Sequence, residues 1–231
     1  MRIAIIPDIH GNLEALKSLR EAYDELWVLG DLVNYGPNPA EVVEFVRTEA
    51  DLAIRGNHDH AIGFGVDPRC SPPYREMARV MGEYTAGVLS ESQKQFLRDL
   101  PIKAEREVHG KRVSLCHAMP SDPLFGYCPP ESDSWTREVE LAGTEMLLVG
   151  HTHLQFTRRV GDREVVNPGS VGQSKIGRAV ACYAIWDGGP VELKTVKYPF
   201  ESTIGKIEML SIPAAIKADL ANVLRTGGAP A

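Results

Sequence analysis

Short, continuously apolar runs alternate with amphipathic stretches along this chain, and five of the runs stop at polar residues able to bind a metal. The run 2–7 ends before Asp8 and His10, and the run 26–30 ends before Asp31. The run 52–56 leads into Asn57 and His58, 113–116 into His117, and 147–150 into His151 and His153. Unbroken apolar runs bounded by Gly or turn residues predict strands buried on both faces. In open α/β sheets, ligands collect beyond the carboxyl ends of such strands. The pattern therefore predicts a metal site on one rim of a sheet.

Between the strands the period changes. Asn12 can cap a helix whose Leu13, Leu16 and Leu19 face the sheet, and Pro39 can open a helix through Val42, Val43 and Val46. This βαβαβ order predicts a parallel sheet with right-handed crossovers. Residues 61–100 read as a largely helical insert, with helices near 73–88 and 91–99, the second stopped by Pro101. From 102 the rhythm becomes strand-rich, with strands at 103–108, 112–116, 146–149, 154–160, 163–166, 179–186 and 191–197. His109-Gly110 and Gly161-Asp162 read as tight turns. Two packed sheets with helices outside suit this order. A single domain over 1–200 is expected, followed by a tail at 201–231 with an amphipathic helix from Pro213 to about Leu224.

Composition narrows the setting. At 231 residues the chain can bury a real core, and its net charge of −6 counts against a stable nucleic-acid complex. Four cysteines without CxxC spacing read as reduced thiols. The opening leads straight into a strand, with no leader-like or membrane-length apolar segment, which predicts a cytoplasmic protein away from membranes. Its assembly is left open.

Of seven histidines, five lie in the strand-end motifs, and only His60 and His109 fall outside. Asp8, His10, Asp31, Asn57, His117, His151 and His153 are too many donors for one ion and suit two, with a carboxylate bridging. Asp8-x-His10 and His151-x-His153 each place two donors on one side of an extended chain. Without cysteine in the set a structural zinc site is disfavoured. Imidazole with carboxylate suits manganese, the first choice here, as well as iron, zinc, cobalt or nickel. Two divalent ions against two carboxylates leave positive charge that favours a phosphate. Metals roughly 3.5–4 Å apart can clamp an in-line displacement and turn a bridging water into a hydroxide nucleophile. His58 follows a ligand by one residue and so can point elsewhere into the cleft.

The motifs Asp8-Ile9-His10, Gly30-Asp31, Gly56-Asn57-His58-Asp59, His117 and Gly150-His151-Thr152-His153 resemble the calcineurin-like metallophosphoesterases. The segment 167–173 looks like that of the family's small prokaryotic phosphodiesterases. The resemblance implies a four-layer αββα sandwich of two mixed sheets. It implies that Asp8, His10 and His153 hold one metal and Asn57, His117 and His151 the other, with Asp31 shared. His58 would be the family's non-ligand catalytic histidine, placed to protonate the leaving oxygen or to stabilise charge there. Asn34 stands where an acid would orient it, and Tyr35 where protein phosphatases carry a phosphate-gripping Arg. These departures favour small phosphoesters.

The loop at about 118–135 leaves a ligand position and is the lid candidate, with Phe125 and Tyr127 placed either to stack a nucleobase or to fill the loop's own small core. Arg55 is a candidate phosphate contact, with a structural salt bridge as the favoured alternative. Asn167 and Ser170 should fix a turn beside the cleft. The function expected is a phosphodiesterase acting on small or nucleotide-like substrates. A phosphomonoesterase or protein phosphatase, and a non-catalytic metal-binding interaction module, are the alternatives.

Overall fold

The computed structural model, which describes residues 1–228, places the predicted strands in two five-stranded mixed sheets. In the first, β1 (Ile3–Ile6), β2 (Glu25–Val28) and β3 (Leu52–Ala53) run parallel. Strand β9 (Ala181–Trp186) pairs antiparallel with β1 and carries β10 (Glu192–Val196) on its outer side. In the second, β5 (Lys111–Cys116), β6 (Met146–Leu148) and β8 (Arg163–Pro168) are parallel. Its edges are the antiparallel β4 (Lys103–Val108) and β7 (Gln155–Val160). The two hairpins close through the predicted turns, with His109, Gly110 and Gly161 all left-handed.

Alternation along the strands sets the layers. Ile3, Ile5, Trp27, Leu29 and Ile54 meet Val113, Leu115, Met146, Leu148 and Val166 between the sheets. Ala4, Ile6, Leu26 and Val28 face the other way, onto α1 (Leu13–Leu16), α2 (Pro39–Glu49) and α5 (Glu91–Asp99). Helix α6 (Trp135–Ala142) covers the far side through Trp135 and Val139, which pack on Leu147, Phe156 and Val165. The fold is the expected αββα sandwich.

Asn12 caps α1 through Oδ1, which accepts from Ala15 N at 3.2 Å, and Pro39 opens α2. The first helix is shorter than expected. Beyond Lys17 the backbone tightens to three-residue bonds, from Ser18 N to Ala15 O and Leu19 N to Leu16 O, and Leu19 packs on the core from a turn. Helix α3 (Asn57–Phe64) starts at the predicted donor Asn57 itself, ahead of α4 (Pro72–Val88).

Two helices went unread, α6 and α7 (Phe200–Glu208), because each buries a polar residue that breaks its apolar stripe. Glu138 accepts from Ser121 N and Oγ, both at 2.8 Å, and Thr203 Oγ1 donates to Asn12 Oδ1 at 3.1 Å. Helix α8 (Ala214–Thr226) matches the tail prediction. It packs with α7 against Met77, Val80 and Met81 of α4, so the tail is continuous with the helical layer. The last three residues of the expected 201–231 tail lie outside the described residues. Among the described residues no helix is long and apolar enough to cross a membrane. All four cysteines are free thiols.

Candidate metal centre

The carboxyl ends of β1, β2 and β3 in one sheet and of β5 and β6 in the other open onto one rim, which brings all seven predicted donors together. The pleat does not aim them, contrary to expectation. Five lie in the left-handed region: Asp8 (φ 53°), His10 (47°), Asp31 (54°), His151 (64°) and His153 (61°). Such backbone costs of order 1–3 kcal/mol per residue and persists where its surroundings over-determine it. Here Asp8 N donates to Gly30 O (3.0 Å), His10 N to Asp31 O (2.9 Å) and Gly172 N to Asp8 O (2.9 Å). A Cβ at Gly172 would lie 1.9 Å from Ile9 O. Gly172→Ala is expected to destabilise the chain by about 3 kcal/mol, read from the denaturation midpoint.

Three imidazoles give Nδ1–H to backbone carbonyls: His10 to Val33 O (3.1 Å), His117 to Leu29 O (2.8 Å) and His153 to Gln173 O (2.6 Å). Each neutral ring then turns the lone pair of Nε2 inward, as metal-ligating histidines do. His10 Nε2 and His153 Nε2 face each other at 3.0 Å, and His117 Nε2 faces Asp31 Oδ2 at 3.2 Å and Asn57 Oδ1 at 3.1 Å. Lone pairs set against lone pairs call for a cation or a proton between them. Asn57 donates Nδ2 to Pro68 O at 2.8 Å, which leaves its oxygen for the centre, 3.1 Å from His151 Nδ1. Two clusters result, Asp8 with His10 and His153, and Asp31 with His117 and His151. The donor set fits a pair of divalent ions.

In the metal-free chain protons share this work. Burial pushes Asp8 up to about 7, and burial outweighs the attraction of Asp31 in driving His10 down to about 3. Burial opposes the charge of His117, but Asp31 and Asp8 lift it to about 10. Asp31 is likewise disfavoured by burial, yet His117, His58 and His10 hold it well below the usual carboxylate range. Asp59 braces the centre. Its Oδ1 accepts from Leu32 N (2.8 Å) and Val33 N (3.3 Å), and its Oδ2 from Gly56 N (3.0 Å).

His58 sits beside the donors without joining them. Its backbone N donates to Asp31 Oδ1 at 2.9 Å. Asn34 donates in its hydrogen bond with His58, where an acid in its place would accept. Tyr35 N donates to Asn34 Oδ1 (2.8 Å) and Asn34 Nδ2 donates to Ala78 O (3.1 Å), which fixes the amide. Asn34 Nδ2 therefore also donates to His58 Nδ1, at 2.8 Å. The proton of the neutral ring then lies on Nε2, 3.4 Å from Cys70 Sγ. Tyr35 wedges between His10 and His58, with ring centroids 4.9 Å from each, so it packs against both imidazoles and leaves the place of a phosphate-gripping Arg empty of charge.

A cleft of about 210 Å³ opens above the donors, and Phe125 and Tyr127 are among the residues that line it. Arg55 does not reach it. Its guanidinium donates to Arg98 O at 2.6 Å and lies 5.0 Å from the Phe64 ring centroid, on the α5 side. Arg69, Cys70, Tyr74 and Lys175 line the cleft and were not anticipated. Their signal was the turn-rich 67–73, passed over within a stretch read as helical, and a lysine two residues beyond 167–173. Asn167 and Ser170 do fix the turn. Asn167 Nδ2 donates to Gly150 O (2.7 Å), and Ser170 Oγ to Asp8 O (2.8 Å). An apolar cavity of about 430 Å³ between α3 and α4 shares Cys70 with the cleft and includes Asn34 in its wall.

The family model of the calcineurin-like phosphoesterase superfamily domain matches residues 1–188. The crystal structure of a metallophosphoesterase from Sphaerobacter thermophilus superposes with a TM-score of 0.82 at 29% identity, covering 96% of this chain and 99% of that one. Protein MJ0912 of Methanocaldococcus jannaschii is 30% identical over 91% of this chain and 93% of its own length. Phosphodiesterase YfcE of Escherichia coli is 28% identical over 81% of this chain and 88% of its own. With its donors complete and its fold and motifs shared with these proteins, the chain belongs to the calcineurin-like phosphoesterase superfamily and is a hydrolase of phosphoester bonds.

Proposed function

We propose that the chain is a cytoplasmic phosphodiesterase acting on small, nucleotide-like substrates with two divalent ions, manganese foremost. The carrying observation is a small cleft that has metal donors for its floor and Tyr74, Phe125 and Tyr127 among its walls. Aromatic faces beside a phosphoester floor suit a nucleobase, and the likeness to a phosphodiesterase supports the diester. Asp8, His10 and His153 would hold one ion and Asn57, His117 and His151 the other, with Asp31 shared between them. Bound there, the ions supply Lewis acidity that polarises the phosphoryl group and acidifies water near neutral pH.

The chain's own part is positioning and charge stabilisation. Asn34 fixes the tautomer of the neutral His58 ring, whose Nε2–H faces the cleft, where it would donate a hydrogen bond to the leaving oxygen and stabilise the charge that develops there. His58→Ala should keep both metals and lose roughly 10²–10⁴ in turnover. Metal loss in step with activity would reassign His58 to metal binding.

The decisive test pairs elemental analysis with hydrolysis of bis-p-nitrophenyl phosphate and p-nitrophenyl phosphate after Mn²⁺ reconstitution. About two metals per chain and faster diester cleavage are expected from the paired-ion mechanism. Faster monoester cleavage would replace this reading with a phosphomonoesterase, and failure to retain metal would sink both.

A further inference from the structure

We propose that Arg69 and Lys175 bind a second phosphoryl group of the substrate, beyond the scissile phosphorus. The proposal rests on the phosphodiesterase reading above and narrows its substrate to nucleotides that carry an additional phosphate.

Both side chains line the cleft, and neither is paired with a carboxylate among the described residues. The cleft cations lie instead on aromatic faces. Arg69 Cζ is 4.3 Å from the Phe125 ring centroid, and Lys175 Nζ is 4.3 Å from that of Tyr74. A ring orients a cation without using up its N–H donors, which stay free for an anion. Arg brings a planar fork that matches phosphate, and Lys a point charge.

Each cation is chained to a different part of the metal centre. Arg69 lies between Pro68, whose carbonyl takes the Asn57 amide at 2.8 Å, and Cys70, whose thiol meets His58 Nε2 at 3.4 Å. Between these anchors Arg69 is held left-handed, at φ 58°, with its N–H on Asp67 Oδ1. Strain in a non-glycine residue fixed from both sides marks a position set by its task. Lys175 is tied to the other donor cluster. Its N–H meets His153 O at 3.4 Å, and Gln173 O takes His153 Nδ1.

Charge supplies the reason for a second anion. Two divalent ions with Arg69 and Lys175 bring six positive charges, and Asp8 and Asp31 return two. A diester contributes one negative charge, so most of the surplus stays uncancelled in a cleft that screens it poorly. A further phosphate monoester group would cancel about two more.

The test is calorimetric binding to Mn²⁺-saturated protein of thymidine 5′-monophosphate, thymidine 3′,5′-bisphosphate and thymidine 5′-diphosphate. At least one doubly phosphorylated ligand should bind roughly tenfold more tightly than the monophosphate for each cation engaged. Arg69→Gln and Lys175→Gln should each remove about tenfold of that preference while elemental analysis still finds both metals. Lys175→Arg should preserve part of it. Equal affinities for all three ligands, or a preference that survives in the double variant, would overturn the proposal. Cleavage of bis-p-nitrophenyl phosphate, measured alongside, reports separately on the phosphodiesterase reading. Equal affinities with cleavage intact would overturn the second-anion proposal alone. A clear preference without cleavage would overturn the diesterase reading alone.

Discussion

Asp31→Ala is expected to abolish phosphoester hydrolysis and to leave the chain short of two metals. Asp31 faces both donor clusters, with Oδ2 3.2 Å from His117 Nε2 and 3.7 Å from His10 Nε2. Its other oxygen accepts from the His58 backbone at 2.9 Å, so the same carboxylate also seats His58. Metal-borne charge stabilisation is worth several kcal/mol in a transition state, and each 1.36 kcal/mol is tenfold, so the loss should be at least roughly 10³-fold in kcat/KM. Elemental analysis beside steady-state kinetics checks this. Full metal occupancy with activity within tenfold of the parent would refute a shared role for Asp31.

Removing the metals should lower the melting temperature by roughly 10–20 °C. At a free-metal level about 100-fold above Kd, each site stabilises the fold by about 2.7 kcal/mol, and a chain of this length shifts by about 2–4 °C per kcal/mol. The structural cause is the set of inward lone pairs, His10 against His153 at 3.0 Å and His117 against Asn57 at 3.1 Å. The gap should also depend on pH. In the metal-free chain Asp8 and His117 have raised pKa values, about 7 against 3.8 and about 10 against 6.5. A raised group stabilises the fold fully below its unfolded value, and that stabilisation is lost as pH rises through the folded value. The opposite case, His10 lowered to about 3, loses its contribution only on acidification below 6.5. Between pH 7 and 9 the metal-free chain should therefore weaken as the loaded chain, whose donors hold ions instead of protons, holds steady. Melting curves with and without chelator would follow the difference, and a gap that narrows over this range would contradict the assignment.

The reach of sequence reading follows from what kind of information each feature needs. The apolar runs name their strands because burial on both faces leaves no polar alternative, and all seven donors lie directly beyond them. Helices α6 and α7 escaped because Glu138 and Thr203 are buried with their own partners, information that lies 17 and 191 residues away. The same limit applies to Arg55 and Arg69. Proximity to the Asn57 motif favoured Arg55, but the side chain turns toward Arg98, and Arg69 enters the cleft through a turn clamped by Asn57 and His58. The direction of the Asn34–His58 bond depends on Ala78 O, a carbonyl on α4 that no local pattern in the second motif could reveal.

The left-handed turns under five of the seven donors bear on how such a chain can change over generations. Away from glycine, Asn, Asp and His are the side chains found most readily in that backbone region, and β-branched residues are nearly excluded from it. At Asp8, His10, Asp31, His151 and His153 the demands of metal chemistry and of local geometry thus select overlapping alphabets. A descendant that abandoned catalysis would be freed from the first demand and still bound by the second. Its drift at these five positions should run toward glycine and asparagine, leaving in its sequence a fossil of the rim after the ions are gone.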